Sequence, residues 1–151
     1  MLRTDGAIYP STGGAIYLIA NGLIPADGFF EWRKDGQQSL PHYIRRCDDG
    51  LFFFAGLWEE DCPPGAPAEP SCTLITTEAP DWIQPLHHRM PVILRPADYA
   101  TWLNPKADAQ SLRTLLEPIG GGDFEYYRVG SAVNSARFDR PDCIAPIEAQ
   151  Q

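Results

Sequence analysis

Two short segments hold the residue types that chemistry needs. The first is Gly28-Phe29-Phe30-Glu31-Trp32, where a carboxylate sits among aromatics. A glutamate in that company is costly to bury unless it is paired or moves protons. Alternation along a strand places it equally well in water, and residue types alone favour that wet-face reading. The second segment is His87-His88-Arg89-Met90-Pro91, where two imidazoles and a guanidinium adjoin a proline that interrupts regular structure. Imidazole suits proton transfer near neutral pH, and guanidinium suits a phosphate.

Other chemistries find less support. Adjacent histidines on a strand point to opposite faces, and no HExxH pattern or second ligand cluster accompanies them, so neither a metal nor another cofactor is expected. Cys47, Cys62, Cys72 and Cys143 are widely spaced, without a CxxC pair. They read as free thiols in a reducing cytoplasm rather than as a zinc knuckle. The sequence has no GxSxG elbow and no Gly-rich phosphate loop, which argues against a serine hydrolase or a nucleotide-binding domain.

The elements that must position these residues are legible in part. The chain has 151 residues, and its 44% hydrophobic and 21% charged content is that of one folded domain. No apolar run is long enough to span a bilayer, and the amino terminus lacks a signal-peptide pattern. A net charge of -8 opposes non-specific attraction to a polyanion, so nucleic acid binding requires a local basic patch. Residues up to Asn21 show no decisive period. Gly28 to Arg33 reads as a strand before the turn Lys34-Asp35-Gly36, and His42 to Arg46 as another, closed by Asp48-Asp49-Gly50. Leu51 to Trp58 follows as a third, and the three are expected to form a meander. Prolines in Cys62 to Pro70 predict an exposed loop. Cys72 to Thr77 reads as a strand, and Pro96 to Leu103 and Asp108 to Leu116 as short helices. Strands with a few helices and no βαβ alternation predict an α+β fold.

Taken in order, Leu23-Ile24-Pro25-Ala26-Asp27-Gly28-Phe29-Phe30-Glu31-Trp32, Phe54-Ala55-Gly56-Leu57-Trp58-Glu59, Thr73-Leu74-Ile75-Thr76-Thr77-Glu78-Ala79 and His87 to Leu94 resemble the motifs of the SOS-response-associated peptidase family. Val133-Asn134 and Pro141-Asp142-Cys143-Ile144-Ala145-Pro146 resemble its closing motifs, so the likeness runs from about Leu23 to Pro146. It implies a mostly antiparallel, barrel-like β core. It also implies a DNA damage function, the processing of abasic sites in single-stranded DNA. In that chemistry an amino-terminal cysteine, freed by autopeptidase action, captures the ring-opened aldehyde as a thiazolidine. An α-amine has a reference pKa near 8 and is a competent nucleophile at neutral pH. By the same resemblance Glu31 exchanges protons with that terminus, which gives its setting among aromatics a purpose. His87 serves the sugar oxygen as general acid or base, Arg89 holds a phosphate and Thr76 contacts the DNA backbone, while in a reading as a binding module without covalent chemistry Trp32 is an aromatic on which single-stranded DNA stacks. Thr76 reads nearly as well as an ordinary strand threonine.

The pattern departs from the family at its start. Residue 2 is Leu2, and Met1-Leu2-Arg3 resembles the remnant of an Asn-x-Arg motif, with Arg3 as a phosphate contact. The expectation is therefore a single domain over residues 1–151 without its amino-terminal segment. Such a chain would have impaired crosslinking and an exposed apolar surface or unpaired edge. The alternatives are a non-covalent module for single-stranded DNA and an inactive relic. In each case a monomer without membrane or metal partners is expected.

Overall fold

The computed structural model describes residues 20–61 and 69–147. Along them run β1 (Ala20–Ala26), β2 (Gly28–Asp35), β3 (Gln38–Arg46), β4 (Phe52–Asp61), β5 (Glu69–Leu74), β6 (Thr76–Glu78), β7 (Arg89–Pro91), β8 (Ile93–Leu94), α1 (Tyr99–Trp102), α2 (Ala109–Thr114) and β9 (Phe124–Arg128). Turns of 3-10 helix lie at Pro96–Asp98, Gly121–Asp123, Ser131–Asn134 and Pro141–Ile144. The named strand pairs are antiparallel, as an α+β fold of this kind requires. Among the described residues they form three sheets and do not close into the barrel implied by the resemblance: β1-β4-β5 with β8 on β4, β2-β3-β9, and β6-β7.

The expected meander forms only in its first half. β2 and β3 make a hairpin whose two-residue turn begins with Gly36 at φ +60°, a conformation favourable to glycine. The second neighbour of β3 is β9, while β4 pairs with β1, β5 and β8. The reason is visible in the run Phe52-Phe53-Phe54-Ala55-Gly56-Leu57: it is apolar on both faces and fits a central, covered strand rather than the rim of a hairpin. β1 begins at Ala20, in the stretch up to Asn21 that shows no decisive period. Pro70, expected in a loop, stands in β5, an edge strand among the described residues, where proline is tolerated.

The strand expected over Cys72 to Thr77 breaks at Ile75. There the backbone serves a three-way junction, with Ile75 N donating to Ala55 O at 2.9 Å, Val92 N to Ile75 O at 2.8 Å and Ala55 N to Val92 O at 2.8 Å. These bonds tie the β6-β7 pair to β4. The helix expected over Pro96 to Leu103 forms as the 3-10 turn Pro96–Asp98 running directly into α1, and the one expected over Asp108 to Leu116 forms as α2, capped by Asp108, whose side chain accepts from Ser111 N at 2.9 Å.

The main core joins the two larger sheets through Ile44, Phe52, Phe54, Ile83, Leu86, Met90, Ile93 and Phe124, with Phe29 packed against them. Its aromatic rings meet edge to face: Phe29 with Phe54 at 5.6 Å, Phe52 with Phe54 at 5.2 Å and Phe52 with Phe124 at 5.3 Å. A second cluster forms around Ala55, Val92, Leu94 and Trp102. Trp102 donates to Gly22 O at 3.0 Å and its own carbonyl accepts from Asn21 Nδ2 at 2.8 Å, which holds α1 to β1.

Gly28 opens β2 under the Tyr43 ring, where an added Cβ would collide with Cε2, Cζ and the hydroxyl oxygen. Since Tyr43 is buried, the ring has little room to yield. Gly28→Ala is therefore expected to destabilise the fold by about 1–3 kcal/mol, read as a lower urea midpoint at unchanged slope. An unchanged midpoint would contradict this packing.

Candidate functional site

Alternation along β2 sorts its residues onto two faces. Phe29, Glu31 and Arg33 share one, and Phe30, Trp32 and Lys34 share the other. Phe29 packs into the main core, so Glu31 lies on the core side of the sheet, one step beyond the aromatic cluster. It is half-buried, which corrects the wet-face reading that residue types alone favoured. Burial is the first cause that pushes its carboxyl above the ordinary value, while the His87 charge and a backbone hydrogen bond from Trp32 pull it down. The structure thus brings Glu31 within electrostatic reach of His87, 56 positions along the chain from it.

His87 follows the turn over residues 81–86, which is anchored by buried Ile83 and Leu86. Its Nδ1 lies 2.9 Å from Arg89 O and 3.2 Å from Arg89 N. With a proton on Nδ1 the ring donates to the carbonyl and offers Nε2 as a base. With Nδ1 bare it accepts from the amide and Nε2 carries the proton. Each tautomer has a partner, which is what an acid–base group requires. The His88 ring sits 4.5 Å from that of His87, centre to centre, and is exposed.

Arg89 and Thr76 meet across the β6-β7 pair as diagonal neighbours. Arg89 Nη2 donates to Thr76 Oγ1 at 2.6 Å and to Thr76 O at 2.7 Å, and Nε donates to Oγ1 at 3.2 Å. The guanidinium is held in one orientation by a neutral residue, so its charge is not cancelled. Among the described residues the ion pairs within 4.0 Å involve Arg45 and Arg46 only. The remaining Arg89 donors and the Thr76 hydroxyl proton can meet one phosphate together.

Trp32 is placed apart from this group. It faces away from Glu31, and its indole N–H donates to Asn134 Oδ1 at 2.7 Å. Asn134 is a residue that sequence reasoning missed as a partner, although the Val133-Asn134 motif marked its position. His42 was missed as well. It stands directly across from Glu31 in register, is buried, and its Nδ1–H donates to Leu40 O at 2.9 Å. Burial lowers its pKa, the bond to Leu40 opposes this, and the charges of Arg33 and Arg128 add to the lowering. Arg3 lies outside the described residues.

The raised Glu31 pKa has a signed consequence. The folded state favours the protonated carboxyl, so stability linked to Glu31 is complete below its unfolded value near 4.5 and is lost as pH rises through the folded value. Glu31→Gln is expected to raise Tm at pH 7 by up to about 2 °C for a partly hydrated group, and to give no gain at pH 4. A lower Tm at pH 7 would mean that the carboxylate is stabilising.

The model of the family described as SOS response associated peptidase (SRAP) matches residues 18–136. The abasic site processing protein YoqW of Bacillus subtilis is 42% identical over 125 residues, covering 81% of this chain and 55% of its own length. The abasic site processing protein HMCES of Gallus gallus is 31% identical, covering 83% and 43%. This chain therefore spans about half the length of the curated relatives it matches. A crystal structure of a Bacteroides thetaiotaomicron protein superposes with a TM-score of 0.75 at 26% identity, covering 85% of this chain and 57% of that one. The family match over most of the sequence, the identity to YoqW and the shared fold establish that the chain belongs to the SOS response associated peptidase family.

Proposed function

We propose that this chain processes abasic sites in single-stranded DNA, with Glu31 and His87 as its proton-transfer pair and Arg89 with Thr76 as its phosphate hold. The observation that carries the reading is the half-buried Glu31 carboxyl, raised by burial and acted on by the His87 charge. A carboxyl perturbed in this way beside an imidazole is what acid–base catalysis uses. The kinship with proteins named for abasic site processing supplies the substrate class.

In this reading the lesion's sugar hemiacetal opens as His87 gives a proton to the ring oxygen and the C1′ hydroxyl loses one, leaving an aldehyde and a free C4′ hydroxyl. Glu31 exchanges protons with the attacking amine and the water that leaves on imine formation. The covalent part, with autopeptidase release of a cysteine and thiazolidine closure, follows the family chemistry. A second reading, in which the same residues hold the strand without a covalent bond, is favoured by Arg89, which Thr76 orients and no described acid neutralises.

An oligonucleotide carrying one abasic site, compared with its intact counterpart, tests both. Binding followed by anisotropy is expected to weaken with salt. Arg89→Ala should cost about 1–3 kcal/mol and reduce the salt slope by about 0.7. A denaturant-stable band supports the covalent reading, and salt-sensitive binding alone supports the second. Absence of binding at low salt would overturn both.

A further inference from the structure

The face of β2-β3-β9 that carries Glu31 continues beyond it. Register sets Glu31, His42 and Arg128 in one row across the three strands. Arg33 shares the face of Glu31 two residues further along β2, about 7 Å away along the strand. Arg33 and Arg128 are exposed, and neither is in an ion pair with a described residue. Both act on the charge of buried His42, which locates them on either side of it. In a protein of net charge -8, two arginines beside the candidate site without an acid partner among the described residues favour a polyanion there.

Arg128 also lines a cleft of about 570 Å³ at the end of the sheet, shared with Ser39, Leu40, Ser131 and Asn134. Leu40 stands across from Arg33, and Asn134 holds the Trp32 indole on the opposite face. The cleft therefore connects the Glu31 side of the sheet to the Trp32 side, which the strand alternation separates. Nearby Lys34 is engaged otherwise, donating to Ser39 Oγ at 2.7 Å on the far face.

We propose that this cleft is a subsite for a nucleotide flanking the lesion, with its backbone phosphate on Arg33 and Arg128 and its base directed toward Ser131, Asn134 and Trp32. The strand then runs from Thr76 and Arg89, past Glu31 and His87, to Arg33 and Arg128, and over the end of the sheet. This rests on the proposed handling of single-stranded DNA and names a second set of contacts for it.

The test is anisotropy with a series of oligothymidylates of increasing length, on the wild-type chain, Arg89→Ala, and the Arg33→Ala/Arg128→Ala double variant. Thermal melts confirm that each is folded. The double variant is expected to bind long oligomers about tenfold or more weakly. Its salt slope should fall by about 0.7 for each lost phosphate contact, and the shortest oligomers should bind as they do to the wild type. Lysines at both positions should restore the slope. A double variant with wild-type affinity and slope at every length, while Arg89→Ala weakens binding, would overturn the subsite and leave the proposed function standing. A wild-type chain that binds no oligothymidylate would overturn both.

Discussion

The edge-to-face packing of Phe29, Phe52, Phe54 and Phe124 is the contact on which the rest of the structure depends. It joins the two larger sheets, and each chemically useful segment is attached to it through an immediate neighbour. Phe29 precedes Glu31 by two residues on the same face of β2, while Leu86 and Met90, which bracket His87 and Arg89, are buried in the same cluster. One core thus sets the separation between a carboxylate and an imidazole that lie far apart in sequence. Close packing of aromatic and branched side chains makes that separation rigid, because such interiors yield little.

The site is assembled against the preferences of its surroundings. A carboxyl beside a phenylalanine cluster loses hydration, and the packing of Phe29 two residues earlier on the same face keeps it there. Arg89 is held by a threonine rather than an acid, although Glu78 stands directly opposite it in the ladder. Pairing with Glu78 would have cancelled the charge, whereas the Thr76 hydroxyl and carbonyl fix the guanidinium's direction and preserve the charge for an anion. Local arrangement of this kind allows an acidic protein to present cationic positions where a polyanion is expected.

Much of this was legible in the residues. The β2 strand, its turn at Gly36 and the His-x-Arg segment follow from local composition, and the ordered motifs anticipated the family. Strand alternation alone separates Glu31 from Trp32. What could not be read was tertiary. The apolar run of β4 looked like the third strand of a meander, because nothing local tells which sheet a doubly apolar strand will enter. The break at Ile75 comes from bonds to Ala55 and Val92, and the partner of Trp32 lies 102 residues away. Burial of Glu31 was ambiguous for the same reason: residue types leave both faces of β2 open until Phe29 is placed in the core.

The most direct test of the account is the titration of the Glu31 side-chain carboxyl, followed by carbon NMR in the wild-type chain and in His87→Gln. The account predicts a midpoint above the ordinary glutamate value in the wild type, and a further rise when the His87 charge, which lowers it, is removed. A carboxyl that titrates at its ordinary value and is indifferent to residue 87 would contradict the claim that the fold makes these two groups a proton-transfer pair.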